Sequence, residues 1–87
     1  MTQRTFYMVS SIIMDGAEDR KNLEDARTEA KKQAILLSKH KKYGGGSKDN
    51  WVTIDKFNTI NHIDILLERW NWNGVRFIHK TINKVLK

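Results

Sequence analysis

No cysteine occurs among the 87 residues. A disulfide framework and a thiolate metal site are thereby excluded, and a reducing compartment is favoured, because small secreted domains usually need such staples. No apolar run approaches the ~20 residues that a membrane-spanning helix requires. The opening residues Met1-Thr2-Gln3-Arg4 have neither the apolar core nor the cleavage site of a signal peptide. The expectation is a cytoplasmic protein with no membrane partner. The three histidines, His40, His62 and His79, show no metal spacing such as His-x-x-x-His on a helix. No metal and no cofactor is expected.

Catalytic patterns are missing as well. Gly44-Gly45-Gly46-Ser47-Lys48 is rich in glycine. A phosphate loop, however, needs Gly-Lys-Ser/Thr opening a helix, and here serine precedes lysine in a segment that follows a helix pattern. Ser10 and Ser11 sit in a strand-like run with no evident base. His62 and Asp64 could share one strand face, but solvated polar residues explain the pair better. An enzyme is not expected: a hairpin at Asn73-Gly74 would set Glu68 opposite His79, one carboxylate and one imidazole, enough for a surface ion pair but not for an active site without a pocket and a third group.

What the chain does have is charge. It carries a formal net charge of +6, a pI of about 9.8, and charged residues at 30% against 39% hydrophobic. That balance suits one small folded domain spanning 1–87 and an anionic partner, either a nucleic acid or an acidic protein surface.

Thr5 to Met14 is rich in β-formers on both alternating faces and is expected to be an inner strand, closed by a turn at Asp15-Gly16. Leu23, Ala26, Ala30, Ala34 and Leu37 recur at helical spacing. Asn22 is a suitable N-cap. Glu18, Asp19, Glu24 and Asp25 gather at one end of this helix and Lys39, His40, Lys41 and Lys42 at the other, which suits the helix dipole. Gly44 is the expected left-handed cap that stops it. Trp51 to Phe57 alternates as a strand does.

The C-terminal half admits two readings, since Ile63, Leu67, Trp70, Val75, Ile78, Ile82 and Val85 suit a strand or a helical stripe. Asn73-Gly74, a strong hairpin signal, favours strands. The predicted architecture is an α+β domain in the order β-α-β-β-β, an antiparallel-rich sheet with one long helix on one face; a C-terminal helical hairpin is the rival. Residues 83–87 admit a helix in either case.

A two-residue turn at Asn73-Gly74 sets an expected register: Trp72 opposite Val75, Trp70 opposite Phe77, Glu68 opposite His79, Leu66 opposite Thr81. One helix covers one face only. Trp70, Phe77 and Leu66 are expected beneath it, which leaves Arg69, Arg76 and Lys80 around Ile78 and Asn71 on the open face, extended by Lys84 and Lys87. The opposite assignment exposes Trp70, Trp72 and Phe77 as a stacking platform for single-stranded bases. A second basic cluster comprises Lys41, Lys42, Tyr43 and Lys48. The expected function is a nucleic-acid-associated accessory module. Its competitor is a protein inhibitor or adaptor that docks through Trp72 or through a free sheet edge, with a homodimer as a further form of edge pairing. In general style, short and rich in Lys, Asn and Ile, the chain looks like small accessory proteins of phages and mobile elements, including those that block host defence.

Overall fold

A computed structural model describes residues 5–40 and 51–86. The elements are β1 (Thr5–Ser10), β2 (Glu18–Arg20), α1 (Leu23–Ser38), β3 (Val52–Asn58), β4 (Asp64–Trp72) and β5 (Phe77–Val85). The strands form one five-stranded sheet in the order β2-β1-β3-β4-β5, with every neighbouring pair antiparallel. α1 packs on one face, so the α+β architecture and its single long helix are as expected. No described helix is long and apolar enough to cross a membrane.

The helix follows from its sequence. The Asn22 Oδ1 accepts from the Asp25 backbone N–H at 2.8 Å, which satisfies an orphan donor of the first turn. Ala26, Ala30, Ala34 and Leu37 are fully buried. Three alanines in that stripe let the helix axis approach the sheet, where Val9, Val52, Ile54 and Trp70 complete the core.

Several boundaries differ from expectation. β1 ends at Ser10, where a turn closed by the Met14 N–H and the Ser11 carbonyl begins. Glu18 and Asp19 belong to β2 rather than to the helix start; only Glu24 and Asp25 lie in the first helical turn. The helix stops at Ser38 with Lys39 as its C-cap, ahead of Gly44. Residues 83–85 continue β5 as strand, and the whole C-terminal half is a hairpin, so the helical rival falls.

The hairpin register is also corrected. Trp72 pairs with Phe77, Trp70 with His79, Arg69 with Lys80, and Glu68 with Thr81. The cause is a longer turn. The Asn73 side-chain carbonyl accepts from the Val75 and Arg76 N–H groups, both at 2.9 Å, and Gly74 takes φ +96°. Asparagine thus builds a turn with its own side chain instead of occupying a tight two-residue hairpin. Because the slip is an even number of positions, each residue near the turn keeps its face.

Further along, a bulge does change faces. Ile54 pairs with Glu68 but Asp55 pairs with Leu66, which leaves Leu67 as the extra residue on β4. β5 is irregular at the same level, where Asn83 adopts φ +53°. Consequently Leu67, not Leu66, packs against the core, and Leu66 turns to the open face.

Candidate functional site

β4 alternates, so its neighbouring side chains enter two different environments. On the helix side, Glu68 is only 3% exposed. Arg27 grips it in a bidentate pair, Nε to Oε1 and Nη2 to Oε2, both at 2.8 Å. The Trp70 indole N–H donates to Oε1 at 2.9 Å, and His79 Nε2 lies 3.1 Å from Oε2. Burial pushes the Glu68 carboxyl up, but the hydrogen bonds from Arg27, Trp70 and His79 outweigh it and hold the group down at about 2. Glu68 and His79 are thus diagonal neighbours in a buried network, not the directly opposed surface pair the expected register gave. His79 stacks on Trp70 at 4.2 Å, and the Lys31 ammonium stands 5.3 Å from the Trp70 ring centroid. No polar atom of this cluster is buried without a hydrogen-bond partner.

The helix-free face is organised differently. Ser10, Thr53, Arg69 and Lys80 are successive cross-strand partners on β1, β3, β4 and β5. Strands lie about 4.8 Å apart, so this row crosses the sheet over about 14 Å. Hydroxyls occupy one end and cations the other. Trp51, immediately ahead of β3, lies against the row. The Arg69 guanidinium is 4.5 Å from its ring centroid and the Lys80 ammonium 5.5 Å.

Arg69 and Lys80 are like charges directly opposite on paired strands, an arrangement that destabilises a sheet. Neither forms an ion pair with any carboxylate among the described residues. The Trp51 ring holds the cations in place without neutralising them. A pocket of about 380 Å³ opens beside them, lined by Ser10, Ser11, Ile12, Trp51, Thr53, Leu66 and Arg69. Two polar atoms of residues that line it, Ser11 Oγ and Arg69 Nε, are withdrawn from solvent without a hydrogen-bond partner among the described residues.

The remaining candidate residues scatter. Lys84 lies on β5 opposite Leu66, further along the strand from the row. Arg76 lies in the 73–76 turn rather than on the face. Trp72 packs against the core beside Phe77, with ring centroids 4.8 Å apart. Lys41, Lys42, Tyr43 and Lys48, with the glycine segment 44–46, lie outside the described residues. His62 stands outside the strands at φ +58°, so it shares no strand face with Asp64. Asp64 instead meets Asp55. Burial first, then the hydrogen bond and charge of Asp64, push the Asp55 carboxyl up to about 7. No cluster of three or more metal-ligating side chains exists among the described residues.

Trp51, Ser10 and Thr53 are the members of the row that the sequence did not single out. Trp51 carried a signal, since it precedes buried Val52 and alternation places it on the opposite face. The pairing of β3 between β1 and β4 had none.

Compared with protein-family models, curated proteins and solved structures, the chain matches none.

Proposed function

We propose that this protein is a non-catalytic binding module that holds nucleic-acid phosphates on the helix-free face of its sheet. The observation that carries this reading is the directly opposed Arg69–Lys80 pair over Trp51, without an ion-pair partner among the described residues. An anion between the two cations converts mutual repulsion into two attractions, and a phosphodiester supplies such anions in series. Lys84 extends the positive charge along β5. Trp51 already has cations against its ring, so its part is to orient them and not to stack on a base. Binding of this kind tracks backbone charge with modest sequence preference.

Titration of short single- and double-stranded DNA and RNA over a salt series tests the proposal. With three phosphate contacts, log affinity falls with log salt at a slope of about −2 to −3. Arg69→Glu weakens all ligands together. Binding with no salt dependence, or undiminished binding by Arg69→Glu, overturns the reading.

A second reading, a protein inhibitor or adaptor of the phage or mobile-element type, draws support from β5. It is a sheet edge nine residues long and is open to strand addition. Lys80, Lys84 and the Asn83 bulge are features that blunt such an edge, which ranks this reading second.

A further inference from the structure

We infer that the pocket at the hydroxyl end of the row receives a single phosphorylated nucleotide, the phosphate-bearing end of a strand. The inference rests on the proposed reading of the Arg69–Lys80 pair and adds what the neighbouring pocket selects.

The first argument is chemical. Ser11 and Arg69 line the pocket, and the Ser11 Oγ and Arg69 Nε atoms are buried without hydrogen-bond partners among the described residues. Guanidinium N–H groups only donate, and a hydroxyl both donates and accepts. Leaving such groups unpaired away from water is costly, and an acceptor-rich anion between them removes that cost. Ser10 and Thr53 stand alongside with their hydroxyl oxygens 3.1 Å apart. No carboxylate is among the lining residues.

The second argument is size. About 380 Å³ falls within the roughly 300–1,000 Å³ typical of small-molecule sites, larger than a bare phosphate requires. Ile12 and Leu66 give that space an apolar wall against which a sugar or base can lie.

The third argument is position. From Lys80 the row runs through Arg69 and Thr53 to Ser10, and there β1 ends. Ser11 and Ile12, which begin the turn that follows Ser10, line the pocket together with Ser10, Thr53 and Arg69, so the pocket lies at the β1 end of the row. A strand laid along the cations toward β1 reaches this pocket. The pocket suits a terminus, whose monoester phosphate carries more charge and more free oxygens than an internal diester.

The test compares one short single-stranded sequence with a phosphate on the 5′ end, on the 3′ end, or on neither, by fluorescence anisotropy. Thymidine monophosphate and thymidine are titrated in parallel by tryptophan fluorescence. One phosphorylated end is expected to bind about tenfold more tightly than the bare oligonucleotide, in keeping with charge-assisted hydrogen bonds. Thymidine monophosphate is expected to bind and thymidine not. Ser11→Ala should erase the preference for the phosphorylated end while leaving the bare oligonucleotide unaffected. Ile12→Trp, at a half-exposed position tolerant of change, should do the same by filling the pocket.

Equal affinity for all three oligonucleotides, with salt-dependent binding intact, overturns the pocket inference and spares the wider reading. Thymidine monophosphate binding without any oligonucleotide binding supports the pocket and overturns the wider reading. Binding of neither overturns both.

Discussion

On the helix side of β4, Arg27 meets Glu68 in a two-point ion pair, Trp70 donates to the same carboxylate, and His79 closes the network. On the opposite side, Arg69 meets Trp51 and stands opposite Lys80, with no carboxylate in an ion pair with it among the described residues. Both assemblies place an arginine beside a tryptophan, and both draw on β4 and β5. They differ in one respect: the first contains its own anion. Glu68 makes the helix-side cluster self-sufficient, so its role is to hold α1 on the sheet. The open-face cluster has the cations and the aromatic ring but no counter-charge among the described residues, and the proposed nucleic-acid reading rests on this difference.

Removing Glu68 gives the largest expected effect and would break the comparison at its strong end. Glu68→Ala leaves the buried Trp70 N–H without its acceptor and frees Arg27, whose side chain is 43% exposed and turns to water; the change costs about 2 kcal/mol. Urea unfolding measures it. A loss under about 1 kcal/mol would show that the network does not hold the fold. Since Glu68 is held below its ordinary 4.5, its stabilisation is complete above that value and is lost as pH falls through about 2. Nucleic-acid affinity of the folded variant should be unchanged.

Lys80→Glu sharpens the comparison from the other side, because it places an anion directly opposite Arg69. A cross-strand ion pair then replaces a repulsion. Stability should rise by roughly 0.5–1 kcal/mol. Nucleic-acid affinity should fall about tenfold or more, since a phosphate contact is lost and Arg69 acquires an internal partner. The two quantities move in opposite directions, an outcome that simple disruption of the fold does not produce. A fall in both, measured by urea unfolding and anisotropy, would mean that Lys80 is structural.

How much of this was legible in the sequence depends on the range of the interaction. The helix, its Asn22 cap and its alanine stripe are local, and all three stand where the spacing of Leu23 to Leu37 put them. The five-stranded outcome lacked one signal. β2 has only three residues, Glu18–Arg20, and its acidic side chains look like the start of a helix. Asn73-Gly74 announced a hairpin correctly, but the Asn73 side chain captured two backbone N–H groups and moved the register. The bulge at Leu67 was invisible, because Leu66 and Leu67 are equally apolar and only the pairing with Ile54 and Asp55 decides which enters the core. Arg69 and Lys80 were picked out from the sequence; Trp51 and the hydroxyls of Ser10 and Thr53 join them only through pairings between strands distant in sequence.

Asp55 tests whether the open face is unbalanced in both signs, with the smallest expected effect. It lies two positions along β3 from Thr53, about 7 Å from the row, and it shares a hydrogen bond with Asp64. With its carboxyl raised to about 7 from an ordinary 3.8, the folded protein holds a proton there that the unfolded chain releases near pH 4. The favourable contribution is therefore complete below the unfolded value and is lost as pH rises through about 7. Because the carboxyls are partly exposed, water screens the effect, and the loss amounts to on the order of 1 kcal/mol. Urea unfolding at about pH 5.5 and pH 8 should show wild type weaker at the higher pH, and Asp55→Asn should level the two. The same proton removes a negative charge near the phosphate row, so wild-type affinity should also rise modestly on acidification, and the variant should bind at pH 8 as wild type does at pH 5.5. If Asp55→Asn keeps the wild-type pH slope, the carboxyl pair is not the source. If it removes the slope in stability but not in affinity, the acidic pair and the cationic row act independently.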